Sequence, residues 1–450
     1  MKHLITSVLL KNFTPVFGFI FFFSMLSSGI TQELLTLDEA LQISLENNYS
    51  IQISKNTALI AAKNYSAGNA GMLPELDIDA GYNKSKTNSK QNYASGTSID
   101  RTGAESENKT ASLELNWTIF DGFKMFHSYS RLGILNNIGQ QEFKQQVENS
   151  VADVTEAYYD IIRQKLNHDV LQEAVDISKE RLHIAEQNFT LGASSKLDLL
   201  QARVDLNADR SALLEQSADL SAAMITLNYL LARAVDIEFQ VSDSINLLQK
   251  LDRRELEESA LMNNRAFVIK KKEYEISGEE IGEIKSEKYP EIDLIARYNY
   301  AKSESDAGFF ISSETDGLFY GVSLTMNLYD GFNTKRRQQT ARLIQRNIAI
   351  ELDEVKNSII AGIRTGYIIY DNSLTRMQLE EENISAAKEN VDIALENFRL
   401  GLLTPLELRE VQKNYIQAKS RYINAAFEAK QNEINLLKLS GRLITTNSEL

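Results

Sequence analysis

The sequence predicts a mainly α-helical rod carrying four β-strands at one end, built from two internal repeats. Three observations predict it. Residues 118–124 read TIFDGFK and residues 327–333 read NLYDGFN, which sets Asp121 and Asp330 209 positions apart. The apolar period is two before each Asp-Gly-Phe and alternates between three and four after it. Beyond residue 29 the only prolines are Pro74, Pro290 and Pro405, so long stretches are free of the residue that breaks helices.

Composition sets the limits. The chain has 450 residues, 43% hydrophobic and 24% charged, which is too apolar for a disordered chain and long enough for an extensive core. It has no cysteine, so disulfides, thiolate metal sites, cysteine nucleophiles and a lipidated N-terminal cysteine are excluded. The N-terminus carries Lys2 and Lys11, an apolar run over 16–26, then Ser27, Ser28 and Gly29. This is the pattern of a signal peptide over 1–29, with a run too short to span a membrane as a helix. A retained anchor is the alternative. The net charge of −14 opposes nucleic-acid binding, which needs clustered Lys and Arg.

The repeat extends well beyond the DGF triplet. EQNFTLG at 186–192 and LENFRLG at 395–401 place Gly192 and Gly401 at the same spacing of 209. Upstream, PELDI at 74–78 matches PEIDL at 290–294, and Asn47-Asn48 matches Asn263-Asn264, both at 216. The spacing therefore changes by seven within 84–110 in the first copy and 301–318 in the second. These polar stretches read as loops at the tips of two hairpins.

Each element follows from its pattern. Leu76, Ile78, Ala80 and Tyr82 alternate with polar residues, as do Leu113, Leu115, Trp117 and Ile119. These are two-faced strands of about nine residues. Ile292, Leu294, Ala296 and Tyr298, then Val322, Leu324, Met326 and Leu328, repeat them. After each DGF, Val147, Val151, Val154, Tyr158 and Ile161, and again Ile360, Ile363, Tyr367 and Tyr370, trace a coiled-coil-like stripe. Asp121-Gly122 and Asp330-Gly331 are read as strand-to-helix junctions, Asp as a cap and Gly freeing the turn, in preference to hairpin turns.

The expected organisation is a signal peptide at 1–29, a first repeat at 30–232, a mid-rod connection at 233–258 and a second repeat at 259–450. The first repeat contains a helix, a strand hairpin at 75–120, a long helix at 123–189 and a return helix at 196–231. Its counterpart contains a helix, a hairpin at 291–329, a long helix at 332–398 and a return helix at 405–440. The long helices would each reach roughly 100 Å. Helices over 38–73 and 259–289 make the remaining return toward the strands.

Four strands cannot close a membrane barrel, so several chains would contribute to one; a small soluble sheet capping a helical bundle is the alternative. Tyr82, Trp117, Phe120, Tyr298, Tyr300 and Tyr329 near strand ends suit interfacial belts.

Taken in order, LTLDEALQISLENN at 35–48, LPELDIDAGY at 73–82, the FDG and YDG junctions and both NF-x-LG turns resemble the outer membrane efflux protein family, the TolC-like outer membrane factors. The resemblance spans essentially the whole chain after residue 29. It implies a homotrimer whose strands form a shared twelve-stranded transmembrane β-barrel, continued by a long antiparallel α-helical barrel across the periplasm. It implies a passive exit duct of a tripartite efflux or type I secretion system, set in outer-membrane lipid. The duct would be opened at its periplasmic tip by a periplasmic adaptor protein and an inner-membrane pump of RND, ABC or MFS type.

Carried over residue by residue, Leu191, Gly192, Leu400 and Gly401 are the adaptor-contact turns. Glu407 and Glu410 match the acids of the periplasmic constriction. Leu-Gly also closes any helix, and Thr404 with Glu407, like Ser195 with Asp198, also fits a capping box, so both readings of these residues stand. Where the best-known member of the family has an arginine in the second tip turn, this sequence has Leu403, so that member's ion-pair latch does not carry over intact.

No enzyme is expected. His127, His168 and His183 lack helix-facing metal spacing, and no HExxH, P-loop or nucleophile elbow occurs, so no catalytic residue, cofactor or metal is assigned. The competing class is an exported helical structural or adhesive protein without a barrel, which would have no use for two alternating hairpins.

Overall fold

A computed structural model describes residues 34–248, 251–306 and 310–444. The signal-like segment 1–29 lies outside the described residues. The chain runs α1 (Leu37–Asn47), α2 (Tyr49–Asn64), β1 (Glu75–Asn92), β2 (Ser98–Phe120), α3 (Lys124–Thr190) and α4 (Lys196–Leu230). It continues α5 (Arg253–Asn263), α6 (Arg265–Ser286), β3 (Glu291–Ser305), β4 (Ser312–Thr325), α7 (Asn333–Arg399) and α8 (Pro405–Leu439). α3 and α7 have 67 residues each, and α4 and α8 have 35 each.

Long helices of modest propensity hold together through packed stripes. α3 packs on α4 and α8 toward the helical tips and on α2 and α6 toward the strands; α7 packs on α8 and α6. The largest core lies mid-rod, where Val154, Ile161 and Ile162 of α3 meet Leu227, Leu231 and Ile434. The connection after α4 straps across this level with Phe239 and Val241 buried, and the Leu35 amide donates to the Gln240 carbonyl at 2.8 Å. Helix α5 begins at Arg253, so the strap is shorter than the sequence suggests.

The helices expected over 38–73 and 259–289 do not run unbroken. Each has an asparagine break, at Asn48 and at Asn264. Asn48 Oδ1 accepts the Ser50 and Ile51 amides at the start of α2, while its Nδ2 donates to the Leu230 carbonyl at 2.8 Å. Asn264 likewise accepts the Phe267 amide and donates to the Leu439 carbonyl at 2.9 Å. One side chain thereby caps a helix start and satisfies a carbonyl left free where α4 or α8 ends.

The strands form one antiparallel sheet in the order β1-β2-β3-β4. Its register aligns apolar residues into rows: Ile78 faces Leu113, which faces Tyr298, which faces Leu318; Leu76, Leu115, Ala296 and Tyr320 form the next. The opposite face is mostly polar, with Thr118 donating to Asp293 at 2.7 Å and Glu114 paired with Arg297, and carries Phe319 opposite Arg297. Among the described residues nothing covers the apolar face, and Ile78, Tyr320 and Val322 are exposed.

Two expectations are corrected here. The strands are not about nine residues long with polar loops at their tips: they span 18, 23, 15 and 14 residues, and most of 84–110 is strand. Alternation of apolar and polar residues marks only the greasy part of a strand. Beyond Tyr82 the ladder continues with charges on the same face, Lys84 pairing with Glu105 at 3.0 Å and Lys109 with Glu107 at 2.7 Å. The second hairpin was expected to run to 329, but β4 ends at Thr325. No helix among the described residues is long and apolar enough to cross a membrane.

Candidate functional site

Each long helix starts at a DGF corner of unusual build. Gly122 and Phe123 are both left-handed, φ 70° and 73°, and so are Gly331 and Phe332, φ 67° and 62°. Such φ values are ordinary for Gly and strained for Phe. The N-cap is the phenylalanine, and the aspartate caps from two residues upstream: Asp121 Oδ2 accepts the Met125 amide at 2.8 Å, and Asp330 Oδ2 accepts the Thr334 amide at 2.6 Å. The two junctions differ in surroundings. A Cβ on Gly122 would stand 2.3 Å from the Ser286 carbonyl oxygen, whereas Gly331 meets only its own Asn333 side chain.

The opposite end of the rod carries two helical hairpin tips of identical construction. Leu191 and Leu400 close α3 and α7, followed by Gly192 at φ 73° and Gly401 at φ 70°. The Gly192 amide reaches the Phe189 carbonyl and the Ala193 amide reaches Asn188; Gly401 and Leu402 repeat this with Phe398 and Asn397. This is the Schellman ending, which needs a left-handed residue, and a Cβ at either glycine would meet open space. Leu191 and Leu400 are 80% and 71% exposed, with Leu197, Leu402 and Leu406 also standing in solvent.

Glu407 sits in a capping box. Its Oε2 accepts the Thr404 amide at 2.9 Å and the Thr404 hydroxyl at 2.6 Å, while its own amide donates to Thr404 Oγ1. The Thr404 hydroxyl, then its amide, hold the Glu407 carboxyl below the ordinary value. Ser195 and Asp198 form the same box at the other tip. Glu410, one turn on, is exposed. Leu403 packs with Phe398, Leu408 and Ile184 in a small apolar core between the two tips.

Below that core lies a polar cluster that the sequence reading did not single out. Arg181 of α3, 2% exposed, donates to Asp205 of α4 at 3.1 Å and to Gln412 and the Pro405 carbonyl of α8, both at 3.2 Å. Arg409 of α8 grips Asp209 of α4 through two bonds of 2.7 and 2.8 Å. Gln412, fully buried, donates to Ser178 and the Ala174 carbonyl. Burial pushes the Arg181 pKa down, while the Asp209 carboxylate raises that of Arg409. The cluster therefore ties the first tip to the second with charges that balance. A signal was present: Arg181 and Gln412 occupy positions in the buried stripes of their helices, alongside Ser178 and Ile184 and alongside Leu408 and Tyr415.

Comparison with known proteins places this architecture. The sequence profile of the outer membrane efflux protein family matches residues 40–233 and 256–442. The chain is 19% identical to the proteases secretion protein PrtF of Dickeya chrysanthemi over 93% of this chain and 90% of that protein. It is 20% identical to the outer membrane protein TolC of Vibrio cholerae over 83% of each. Among solved structures, the Campylobacter jejuni CmeC outer membrane channel superposes with a TM-score of 0.77 at 15% identity, covering 92% of this chain and 88% of that one. The Vibrio cholerae outer membrane protein VceC superposes with a TM-score of 0.74 at 15% identity, covering 90% and 96%. The fold is thus that of the outer-membrane channels, with the sheet in the outer membrane and the helices in the periplasm. The chain belongs to the outer membrane efflux protein family.

Proposed function

We propose that the protein is a homotrimeric, passive channel-tunnel: the outer-membrane exit duct of a tripartite efflux or type I secretion system. One observation carries the reading. The sheet is open at β1 and β4, mostly polar on one face and apolar on the other, and among the described residues nothing covers the apolar face. In a bilayer an open edge is prohibitive, so the sheet must close with other copies, apolar face to lipid and polar face to a lumen.

The helical layer supports a ring. Exposed Ile350, Ile368 and Leu379 of α7 lie at one edge, and exposed Ile53 of α2 with Val204 and Leu214 of α4 lie at the other. Unlike edges that meet head to tail generate a closed ring when the rotation fits. Three copies is the number the family resemblance implies.

At the far end, the exposed leucines around Gly192 and Gly401 are the surface offered to a periplasmic adaptor, itself joined to an inner-membrane pump. Apolar side chains held on rigid, well-capped turns suit such docking. Glu407 is a helix cap within one chain. In a threefold ring Glu407 and Glu410 would also add negative charge at the constriction, attractive to cations. In place of the absent latch arginine, the Arg181, Asp205, Arg409 and Asp209 cluster holds α8 against α3 and α4 until docking spreads the tips.

The test is the detergent-corrected mass of the mature protein extracted from outer membranes, together with crosslinking to an adaptor. A mass of three chains, and adaptor crosslinks through Leu191→Cys and Leu400→Cys, are expected. A monomer soluble without detergent would overturn the duct and leave an exported helical protein.

A further inference from the structure

One stripe on β1 passes from apolar to aromatic to cationic along a single face. Ile78, Tyr82, Lys84, Lys86 and Lys90 share that face, because alternate residues of a strand point the same way. The irregularity at Thr87 and Ser89 does not disturb it: its extra residue belongs to β2, where Ala104 and Arg101 are the partners. Leu113 and Lys109 of β2 stand beside Ile78 and Tyr82, and Lys109 Nζ lies 5.8 Å from the centre of the Tyr82 ring. Lys84 and Lys86 share Glu105 at 3.0 and 3.4 Å, and Lys109 pairs with Glu107 at 2.7 Å. More than half of each of these three lysine side chains still faces solvent.

Charge keeps to this face. Opposite it stand Asn83, Ser85 and Thr87 of β1 and Ser106, Asn108 and Thr110 of β2, all uncharged. Both faces have left the apolar rows at this level, so water alone gives a lysine no reason to prefer one. Positive charge is also in excess here. β1 beyond Tyr82 carries three lysines and no acid, whereas on β3 and β4 Glu304 is paired with Lys302, and Glu314 and Asp316 accept the hydroxyls of Tyr300 and Tyr298. Height narrows the partner. The helices lie in the periplasm, so these rows rise on the outer side of the membrane. A phospholipid headgroup layer is only roughly 5–8 Å deep, the difference between the full and the hydrocarbon thickness of a bilayer shared by two leaflets. Lys86, four residues beyond Tyr82, stands about 10 Å higher on a strand tilted by about 40°. A headgroup tall enough to reach both Lys84 and Lys86 carries sugars as well as phosphate.

We propose that this stripe binds a phosphorylated glycolipid of the outer leaflet. The inference rests on the reading above that the apolar face of the sheet meets lipid. An acyl chain lies over Ile78 and Leu113, the Tyr82 ring marks the polar boundary, and phosphate sits against Lys84, Lys86 and Lys109. An ammonium has three donors, so a lysine held by Glu105 keeps others for phosphate oxygens. Glu105 takes one donor from each of its two lysines and is not itself needed for the lipid.

The probe is lipid A, a glycolipid with two phosphates, offered in mixed micelles to the protein purified from outer membranes. Dephosphorylated lipid A and phosphatidylglycerol, which has a phosphate and no sugar, are the comparisons, and both should bind more weakly. Lys84→Gln combined with Lys86→Gln should lower the affinity for lipid A about twentyfold, roughly a factor of four to five for each lysine at an anionic surface. Glu105→Gln should bind as tightly as the unaltered chain or tighter, whereas a ladder that only holds strands together would suffer equally from losing either partner. The unaltered protein, with no variant to fold, should lose affinity for lipid A as salt rises from about 0.05 to 0.5 M, and its binding of the dephosphorylated form should not respond. The detergent-corrected mass is measured for every sample. Unchanged affinity in the lysine variant, a loss in Glu105→Gln equal to that variant's, or equal binding of either comparison lipid overturns the inference and leaves the duct standing. A particle soluble without detergent overturns both.

Discussion

Arg181 and Asp205 form a buried ion pair across α3 and α4, 3.1 Å apart, with the guanidinium sealed under α8. Removing one partner of such a pair strands the other charge away from water. Asp205→Ala should therefore destabilise the tip by about 3 kcal/mol, the lower end for breaking a buried pair. Arg181→Met, which removes the charge and leaves an apolar chain of similar length, should cost less, although it leaves Asp205 at the rim. Protease cleavage at the tips and single-channel conductance provide the check: Asp205→Ala should raise both while the sheet end keeps its resistance to cleavage.

The paired asparagines make a second prediction. Asn48→Ala and Asn264→Ala each delete a helix cap and a donor to a helix-end carbonyl, and each should cost about 1–2 kcal/mol. Aspartate keeps the cap but not the donor. Asn48→Asp should lose its bond to Leu230 while still accepting the Ser50 and Ile51 amides. Thermal unfolding in detergent should rank Asn48 above Asn48→Asp and both above Asn48→Ala.

Much of this was legible in the sequence, because periodicity and repeat spacing report directly on helices, strand faces and corners. The DGF corners, the 67-residue helices and the Schellman tips all announce themselves through residue types that few other conformations tolerate. Strand length was not legible: β1 runs past Tyr82 through Lys84 and Lys90, where both faces are polar and the alternation disappears although the ladder does not. The cluster of Arg181, Asp205, Arg409 and Asp209 was only faintly marked, by Arg181 and Gln412 falling in the stripes of their helices. Its members lie on three helices, and only packing makes them neighbours. The left-handed Phe123 and Phe332 were unreadable for another reason: the neighbouring glycine explained the turn so well that no second strained residue was called for.

Equivalent positions in the repeats should respond oppositely to exchange of Gly and Ala. Ala232 ends α4 at φ 52°, and Gly441 ends α8 at φ 68°. The alanine carries left-handed strain of about 1 kcal/mol, so Ala232→Gly should raise the melting temperature or leave it unchanged. Gly441 has no such latitude, since a Cβ there would lie 2.7 Å from both the Asn263 carbonyl oxygen and its Cβ. Gly441→Ala adds that clash to the backbone strain and should destabilise by at least about 2 kcal/mol. Measuring both in one detergent separates backbone strain from crowding.

Glu407 links the tip to pH. Its folded-state pKa lies below 4.5 because the ionised carboxylate accepts the Thr404 hydroxyl and amide. A carboxylate depressed in this way stabilises the folded turn above its unfolded pKa, and that contribution is lost as pH falls through the lower folded value. The start of α8 should therefore be indifferent to pH between 6 and 8 and loosen below about 4.5. A nitroxide on Leu406→Cys, the only thiol in the chain, reads this as a gain in mobility on acidification. With Glu407→Gln added, the turn keeps a weaker, uncharged cap, so mobility should be higher at neutral pH and the acid-dependent step should disappear. An unchanged acid step in Glu407→Gln would place the titrating group elsewhere and remove Glu407 from any account of how acid loosens the tip.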